Sequence, residues 1–279
     1  MKIKSALISV SDKSKLNIVL KVLRKFNIKI LSSGGTFKII RSLGYKCTEV
    51  SDYTGFPEIL DGRVKTLHPK IHSGILYKRR NKKHKKTLSE LKFQSIDLVI
   101  ANFYPFEKVL EKKINHEKII ENIDIGGPTL VRSAAKNYND VTVITKVGDY
   151  ENLVEELNSF KGSTSLKFRK RMSANAFYET SNYDSVILKY FRSLEKENIA
   201  ENLFINEKLI QKLRYGENPH QVGAIYGNKE STNIKKLHGK ELSYNNYNDI
   251  YACLDLLKKL PRNKGTVVIK HSNPSGVSI

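Results

Sequence analysis

The feature that most constrains this chain is an alternation, kept up through about its first 145 residues, of short apolar runs with amphipathic helical periods. Residues 6–10 (Ala-Leu-Ile-Ser-Val) have the pattern of a buried strand. Ser11 and Asp12 follow as N-cap candidates for a helix carrying Leu16, Val19, Leu20 and Leu23. Residues 28–31 repeat the strand pattern until Ser32-Ser33-Gly34-Gly35-Thr36 breaks it, and a helix with Phe37, Ile40 and Leu43 then runs to Gly44. Further strand-like runs lie at 96–101 and 141–145, separated by a helix over 128–137 with Pro128 in its first turn. Short strands of the buried kind alternating with helices predict a parallel sheet flanked by helices.

From Asp149 the pattern turns helical: one helix over 150–159, another over about 165–197 with Phe168, Met172, Ala176, Phe177, Val186 and Tyr190 as apolar positions and Asn182 as a candidate break. After Asn198 come a turn-rich stretch at 213–220, a helix at 248–260, a strand at 265–269 and a loop over 270–277. A strand leading only to a loop implies a second domain that is incomplete. No run of about 18 apolar residues offers a membrane span. The apolar N-terminal stretch is too short for a signal peptide, which predicts a cytoplasmic protein. Cys47 and Cys253 lack metal spacing and read as reduced thiols.

The formal charge of +21 is compatible with nucleic acid, with phosphorylated small molecules, or with a base-biased genome rich in Lys, Asn and Ile codons, and it selects none of them. The dense basic run at 78–86 has no interleaved aromatics on which bases would stack, and reads as a solvated loop.

More specific are the loops at strand ends. Ser33, Gly34, Gly35 and Thr36 combine close backbone approach, hydroxyl donors and a helix N-terminus, and Ser11, Asp12 and Lys13 end the preceding strand in a similar way. Either loop alone is equally a tight turn. Two from successive parallel strands converge on one crevice and favour a phosphate or nucleotide site. Arg63, Lys65 and Thr66 supply further anion donors, with Lys65 a candidate acid or base. Asn102-Phe103-Tyr104 ends a strand at the same edge, where the Tyr104 phenol suits a developing oxyanion and is equally ordinary core filler. Asp124 precedes a helix on which Arg132 and Lys136 share a face; any pairing of Asp124 with Lys136, about three turns away, must come from the fold. His68 and His72 have i, i+4 spacing but no glutamate between them, and Pro69 disfavours a helix at His68, so no metal is expected. Nucleotide-binding fingerprints and serine-hydrolase elbows are absent from the sequence. Lys, Tyr and Asp among many anion donors suit proton transfer on a phosphorylated substrate.

Together, the segments 9–13, 33–36, 54–58, 62–69, 102–106 and 123–127 occur in the order and spacing of the AICAR transformylase/IMP cyclohydrolase family, which the chain resembles over nearly its whole length. The resemblance implies an α/β fold. Residues 1–197 would form a cyclohydrolase domain around a methylglyoxal-synthase-like, Rossmann-like parallel sheet (1–146) and a helical connection. Residues 198–279 would be an incomplete α/β, cytidine-deaminase-like transformylase domain. It implies closure of formyl-AICAR to inosine monophosphate (IMP) with loss of water. Ser11, Asp12, Lys13, Ser33, Gly34, Gly35, Thr36, Arg63, Val64, Thr66, Asn102 and Ile125 would bind the nucleotide, and Lys65, Tyr104, Asp124 and Lys136 would be catalytic, with Lys136 as proton shuttle. Arg214 and Tyr215 would bind AICAR, and Lys270 and His271 would serve formyl transfer from 10-formyltetrahydrofolate, an activity expected to be lost from an incomplete domain. The cyclohydrolase needs no cofactor. A homodimer is implied, with no nucleic-acid or membrane partner. A methylglyoxal-synthase-like lyase and a non-catalytic basic binding protein are the alternatives; the first has no place for the long tail, and the second rests on charge alone.

Overall fold

The computed structural model describes residues 1–112, 114–195, 201–227, 234–261 and 264–279. The chain divides into two compact units, Met1–Ile199 and Ala200–Ile279; the boundary expected at 197–198 lies outside the described residues.

In the first unit, β1 (Ser5–Val10), α1 (Leu16–Lys25), β2 (Lys29–Ser32), α2 (Gly34–Ser42), β3 (Thr48–Glu49) and α3 (Val50–Thr54) build one side of the sheet. Helices α4 (Pro69–Leu76) and α5 (Lys82–Glu90) lead to β4 (Leu98–Asn102), and α6 (Phe106–Leu110), α7 (His116–Glu121) and α8 (Gly126–Lys136) to β5 (Thr142–Ile144). Helices α9 (Tyr150–Ser159) and α10 (Leu166–Leu194) follow. The five strands pair in parallel in the order β3-β2-β1-β4-β5, as the alternating pattern predicts. The central strand is apolar on both faces because both are covered: Ala6, Leu7 and Ile8 are at most 1% exposed.

Several local expectations are corrected. Helix α1 starts at Leu16 rather than after Asp12; Asp12 Oδ1 instead accepts from the Ser14 N–H at 2.8 Å, and left-handed Lys15 enters the helix. His68 itself is extended, as expected of a residue before proline, and caps α4, which starts at Pro69; its Nδ1 accepts from the Lys70 N–H. The basic run is not a loop throughout, since α5 occupies 82–90 behind an Asn81 cap. Asn182 does not interrupt α10, whose neighbours Thr180 and Tyr183 are both buried.

Arg79, from that basic run, is a structural staple. Its guanidinium donates to the carbonyls of Ile75, Tyr77 and Ile96, stacks 4.2 Å from the Tyr77 ring, and meets Asp97 Oδ1 at 3.3 Å. The other oxygen of Asp97 accepts from the N–H groups of Lys4 and Ser5. One carboxylate thereby ties the starts of β1 and β4 to the segment after α4.

The second unit holds two antiparallel pairs, β6 (Leu209–Lys212) with β7 (Ala224–Tyr226) and β8 (Thr266–Lys270) with β9 (Asn273–Ser278), and the helix α11 (Tyr244–Leu257). Helix α11 begins four residues before the expected 248, at a Ser243–Asn246 capping box. The expected loop over 270–277 is mostly β9, turned back on β8 through His271 and Ser272, both left-handed as a two-residue hairpin requires. Among the described residues no helix is long and apolar enough to cross a membrane.

Candidate functional site

The chain runs from β1 outwards through β2 to β3, then crosses back to place β4 on the other side of β1, so the strand order reverses between β1 and β4. Parallel sheets open a crevice at such a reversal, beyond the carboxyl ends of the strands. Asn102, at the end of β4, closes its floor: its Oδ1 accepts from the N–H groups of Ser11 (2.7 Å) and Asp12 (2.9 Å), and its Nδ2 donates to the Asp12 carbonyl. Its amide therefore positions the 11–13 backbone. Lys13 Nζ donates to the Ser11 carbonyl, and hydrogen bonds from Ser14 hold the Asp12 carboxyl below its usual value.

The next strand end supplies the anion cradle. Ser33 is the extended N-cap of α2, and its buried hydroxyl has no hydrogen-bond partner among the described residues. Gly34 is left-handed (φ +52°); a Cβ there would stand 3.6 Å from Lys65 Nζ, and one on Gly35 3.8 Å from Lys13 Cε. Two lysine side chains, Lys65 through its ammonium and Lys13 through its stem, thus lie at a helix N-terminus that has its own unpaired N–H groups. The Thr36 hydroxyl is committed elsewhere, donating to the Val10 carbonyl and accepting from its N–H, so Thr36 fixes the loop.

Residues 59–64 form a small hairpin closed by an Ile59–Val64 bridge, with Leu60, Asp61 and Gly62 all left-handed. Beyond it the Arg63 guanidinium makes a two-pronged pair with Glu121 at 3.2 and 2.7 Å, and Lys65 lies 3.8 Å from Glu58. Thr66 is buried where α8 begins, and a Cβ on Gly126 would stand 2.9 Å from its hydroxyl. Asp124 Oδ1 accepts from the Gly127 N–H at 2.8 Å. Burial raises the Asp124 carboxyl above its usual value, against the opposing Gly127 hydrogen bond, the charge of Lys65, and the N–H groups of Tyr104 and Gly126. Tyr104 and Ile125 flank it, 56% and 60% exposed.

One expected member is elsewhere. Lys136 ends α8, exposed and about 15 Å along the axis from Gly126. A straight helix holds its two ends apart, so within one chain Lys136 does not join Asp124.

Tyr183 has no sequence signal at all. Reaching across from α10, its hydroxyl accepts from the Asp124 N–H at 2.8 Å, and its ring packs 5.0 Å from Phe103. Burial pushes its phenol up to about 12, so it stays protonated. Between α10 and the loop after β4 lies a cleft of about 240 Å³, lined in part by Tyr104, Glu179 and Tyr183.

In the second unit, Arg214 donates to the Tyr215 hydroxyl at 3.0 Å, and hydrogen bonds from Arg214 and Ser243 pull that phenol below its usual value. Lys270 and His271 sit at the β8–β9 turn, where the Ser272 N–H donates to Asp249 of α11. The Tyr244 N–H of the same helix donates to the Tyr215 carbonyl, so α11 braces both loops.

The chain matches the MGS-like domain over residues 16–129 and the AICARFT/IMPCHase bienzyme over 134–279. Similar curated proteins include the bifunctional purine biosynthesis proteins PurH of Acetivibrio thermocellus (45% identical, covering 99% of this chain and 55% of the relative) and of Ruminiclostridium cellulolyticum (46%, 99% and 54%). The chain spans about half the length of these relatives. Among solved structures, the crystal structure of ForH aligns with a TM-score of 0.60 at 27% identity, covering 67% of this chain and 96% of that one.

Proposed function

Because the chain belongs to the AICARFT/IMPCHase bienzyme family, we propose that its Met1–Ile199 unit is an IMP cyclohydrolase, closing formyl-AICAR to IMP with loss of water. The observation that carries this reading is the buried, unpartnered Ser33 hydroxyl at the head of α2, with Lys13 and Lys65 brought to the adjoining glycines. An unsatisfied buried hydroxyl is costly unless a ligand completes it, and a phosphate oxygen does so.

With the phosphate held there, the base reaches towards Lys65, Tyr104 and Asp124. The carboxamide nitrogen attacks the formyl carbon, forming the C–N bond while the carbonyl electrons move onto oxygen. Asp124, its basicity raised by burial, takes the amide proton. Lys65 and the Tyr104 phenol donate to the oxyanion. Loss of the formamido N–H and departure of the protonated hydroxyl as water complete the ring.

The donor to that hydroxyl is the role the family resemblance gives Lys136. In the homodimer we propose, a second copy would bring its Lys136 to the cluster. Mixing Lys136→Ala chains with Asp124→Asn chains is then expected to restore turnover that neither gives alone. A mixture as inactive as its components would overturn the sharing of the site between copies, and full turnover by Lys136→Ala alone would remove Lys136 from the reaction. Arg214, Tyr215, Lys270 and His271 are the positions proposed for AICAR and for formyl transfer from 10-formyltetrahydrofolate in the second unit. Cytoplasmic location goes with the same reading.

Absorbance-monitored turnover of formyl-AICAR by the purified chain tests the proposal, and absence of IMP formation would overturn it. Tyr183→Phe, which leaves the Asp124 N–H without its acceptor, is expected to lower kcat about tenfold. KM should be nearly unchanged, and the acidic limb of the pH profile should shift, a change that general loosening of α10 does not produce.

A further inference from the structure

Arg63 is one of the cations proposed to hold the nucleotide, yet its guanidinium is engaged by Glu121, Nε and Nη2 donating to the two carboxylate oxygens. Fork-to-fork pairing of this kind is also how arginine takes a phosphate, so a phosphate and the Glu121 carboxylate compete for the same donors. Three further observations bear on the pair. It bridges the 59–64 hairpin to α7 and lies three residues before Asp124. Glu121 is the last residue of α7, where a negative charge opposes the helix dipole and needs a cation beside it. The hairpin that delivers Arg63 carries three successive left-handed residues, of which Leu60 and Asp61 are not glycine, a conformation that persists only when its surroundings hold it.

We propose that Glu121 is the resting counter-ion of Arg63 and a positioning residue for ligand entry: it competes with the ligand phosphate for the guanidinium and so sets the charge a ligand must carry to recruit Arg63. Both side chains are more than half exposed, and a pair so open to water is held weakly. A phosphate dianion, which also gains the α2 N-terminus and Lys13, displaces the carboxylate; an uncharged nucleoside does not. The inference rests on the phosphate-binding reading above and extends it to a residue outside the cradle.

The test is calorimetric titration of the full chain with IMP and with inosine at low salt. Glu121→Gln is expected to bind IMP about two- to fivefold more tightly than the wild type, with inosine unaffected. The gain should shrink at high salt and vanish in an Arg63→Ala background, as a double-mutant cycle requires of a direct pair. Glu117→Gln, the same charge change one turn earlier on α7, should leave IMP affinity alone. Equal or weaker IMP binding by Glu121→Gln, or an equal gain from Glu117→Gln, overturns the proposal while leaving the phosphate site standing. Failure of the wild type and all variants to bind IMP overturns the phosphate-binding reading itself, and this inference with it.

Discussion

Asp97→Ala is expected to remove about 3–5 kcal/mol from the stability of the Met1–Ile199 unit, the usual cost of breaking a buried ion pair from one side. The Asp97–Arg79 pair is 7% and 15% exposed at the side chains, so the loss is not diluted by solvent as at the surface. Removing the carboxylate strands the Arg79 charge and also leaves the Lys4 and Ser5 N–H groups without their acceptor. Against typical domain stabilities of about 5–15 kcal/mol, that is a large fraction. Urea unfolding followed by far-ultraviolet circular dichroism reads the effect. A midpoint within error of the wild type would mean that the pair is replaceable by water. Replacing Arg79 together with Asp97 by apolar residues should recover part of the loss, because no uncompensated charge is then left behind.

The largest effect on turnover is expected from Asp124→Asn. The amide still accepts from the Gly127 N–H but cannot take a proton, and kcat should fall by about 10²–10⁴-fold with IMP affinity little changed. Stability separates this from unfolding. Burial raises the Asp124 carboxyl, so the folded chain holds that proton more tightly than the unfolded one. Stability from this group is therefore full below the ordinary value of 3.8 and declines as the pH rises through the raised value. At neutral pH Asp124→Asn should unfold no earlier than the wild type. In the wild type, turnover should be lost on acidification at a higher pH than an ordinary aspartate would give, because the base must be ionised. A variant retaining more than a tenth of kcat would dismiss Asp124 as the base.

The parallel sheet was legible because most of its strands are buried on both faces and stand out as short, largely apolar runs; the expected segments 6–10, 28–31, 96–101 and 141–145 overlap β1, β2, β4 and β5, while the two-residue β3 was not foreseen. Glycine and hydroxyl residues at the strand ends marked the crevice for a similar reason, since their chemistry is local. What escaped is held by partners remote in sequence or by none. Arg79 looked like solvated charge because its partners are mainly backbone carbonyls, which carry no residue signature. Tyr183 and Glu121 meet their partners across 59 and 58 residues. Strand β9, Asn-Pro-Ser-Gly-Val-Ser, is exposed along its whole length and shows no alternation. Lys136 stands about 15 Å along α8 from Gly126, as its spacing in sequence requires, and its place in the reaction rests on the family resemblance.

The position of β1 at the middle of the sheet has a consequence for how the chain matures as it is made. Its contacts with β2 form between residues 24 apart, as in Ser5 with Lys29, whereas its contacts with β4 join residues about 92 apart. At translation speeds of about 5–20 residues per second, that second neighbour emerges on the order of 5–20 s after the first strand. Throughout that interval a strand destined for the centre presents a bare hydrogen-bonding edge. Ribosomes stalled before residue 98 should therefore carry nascent chains that pair with one another, and those stalled well past residue 144 should not.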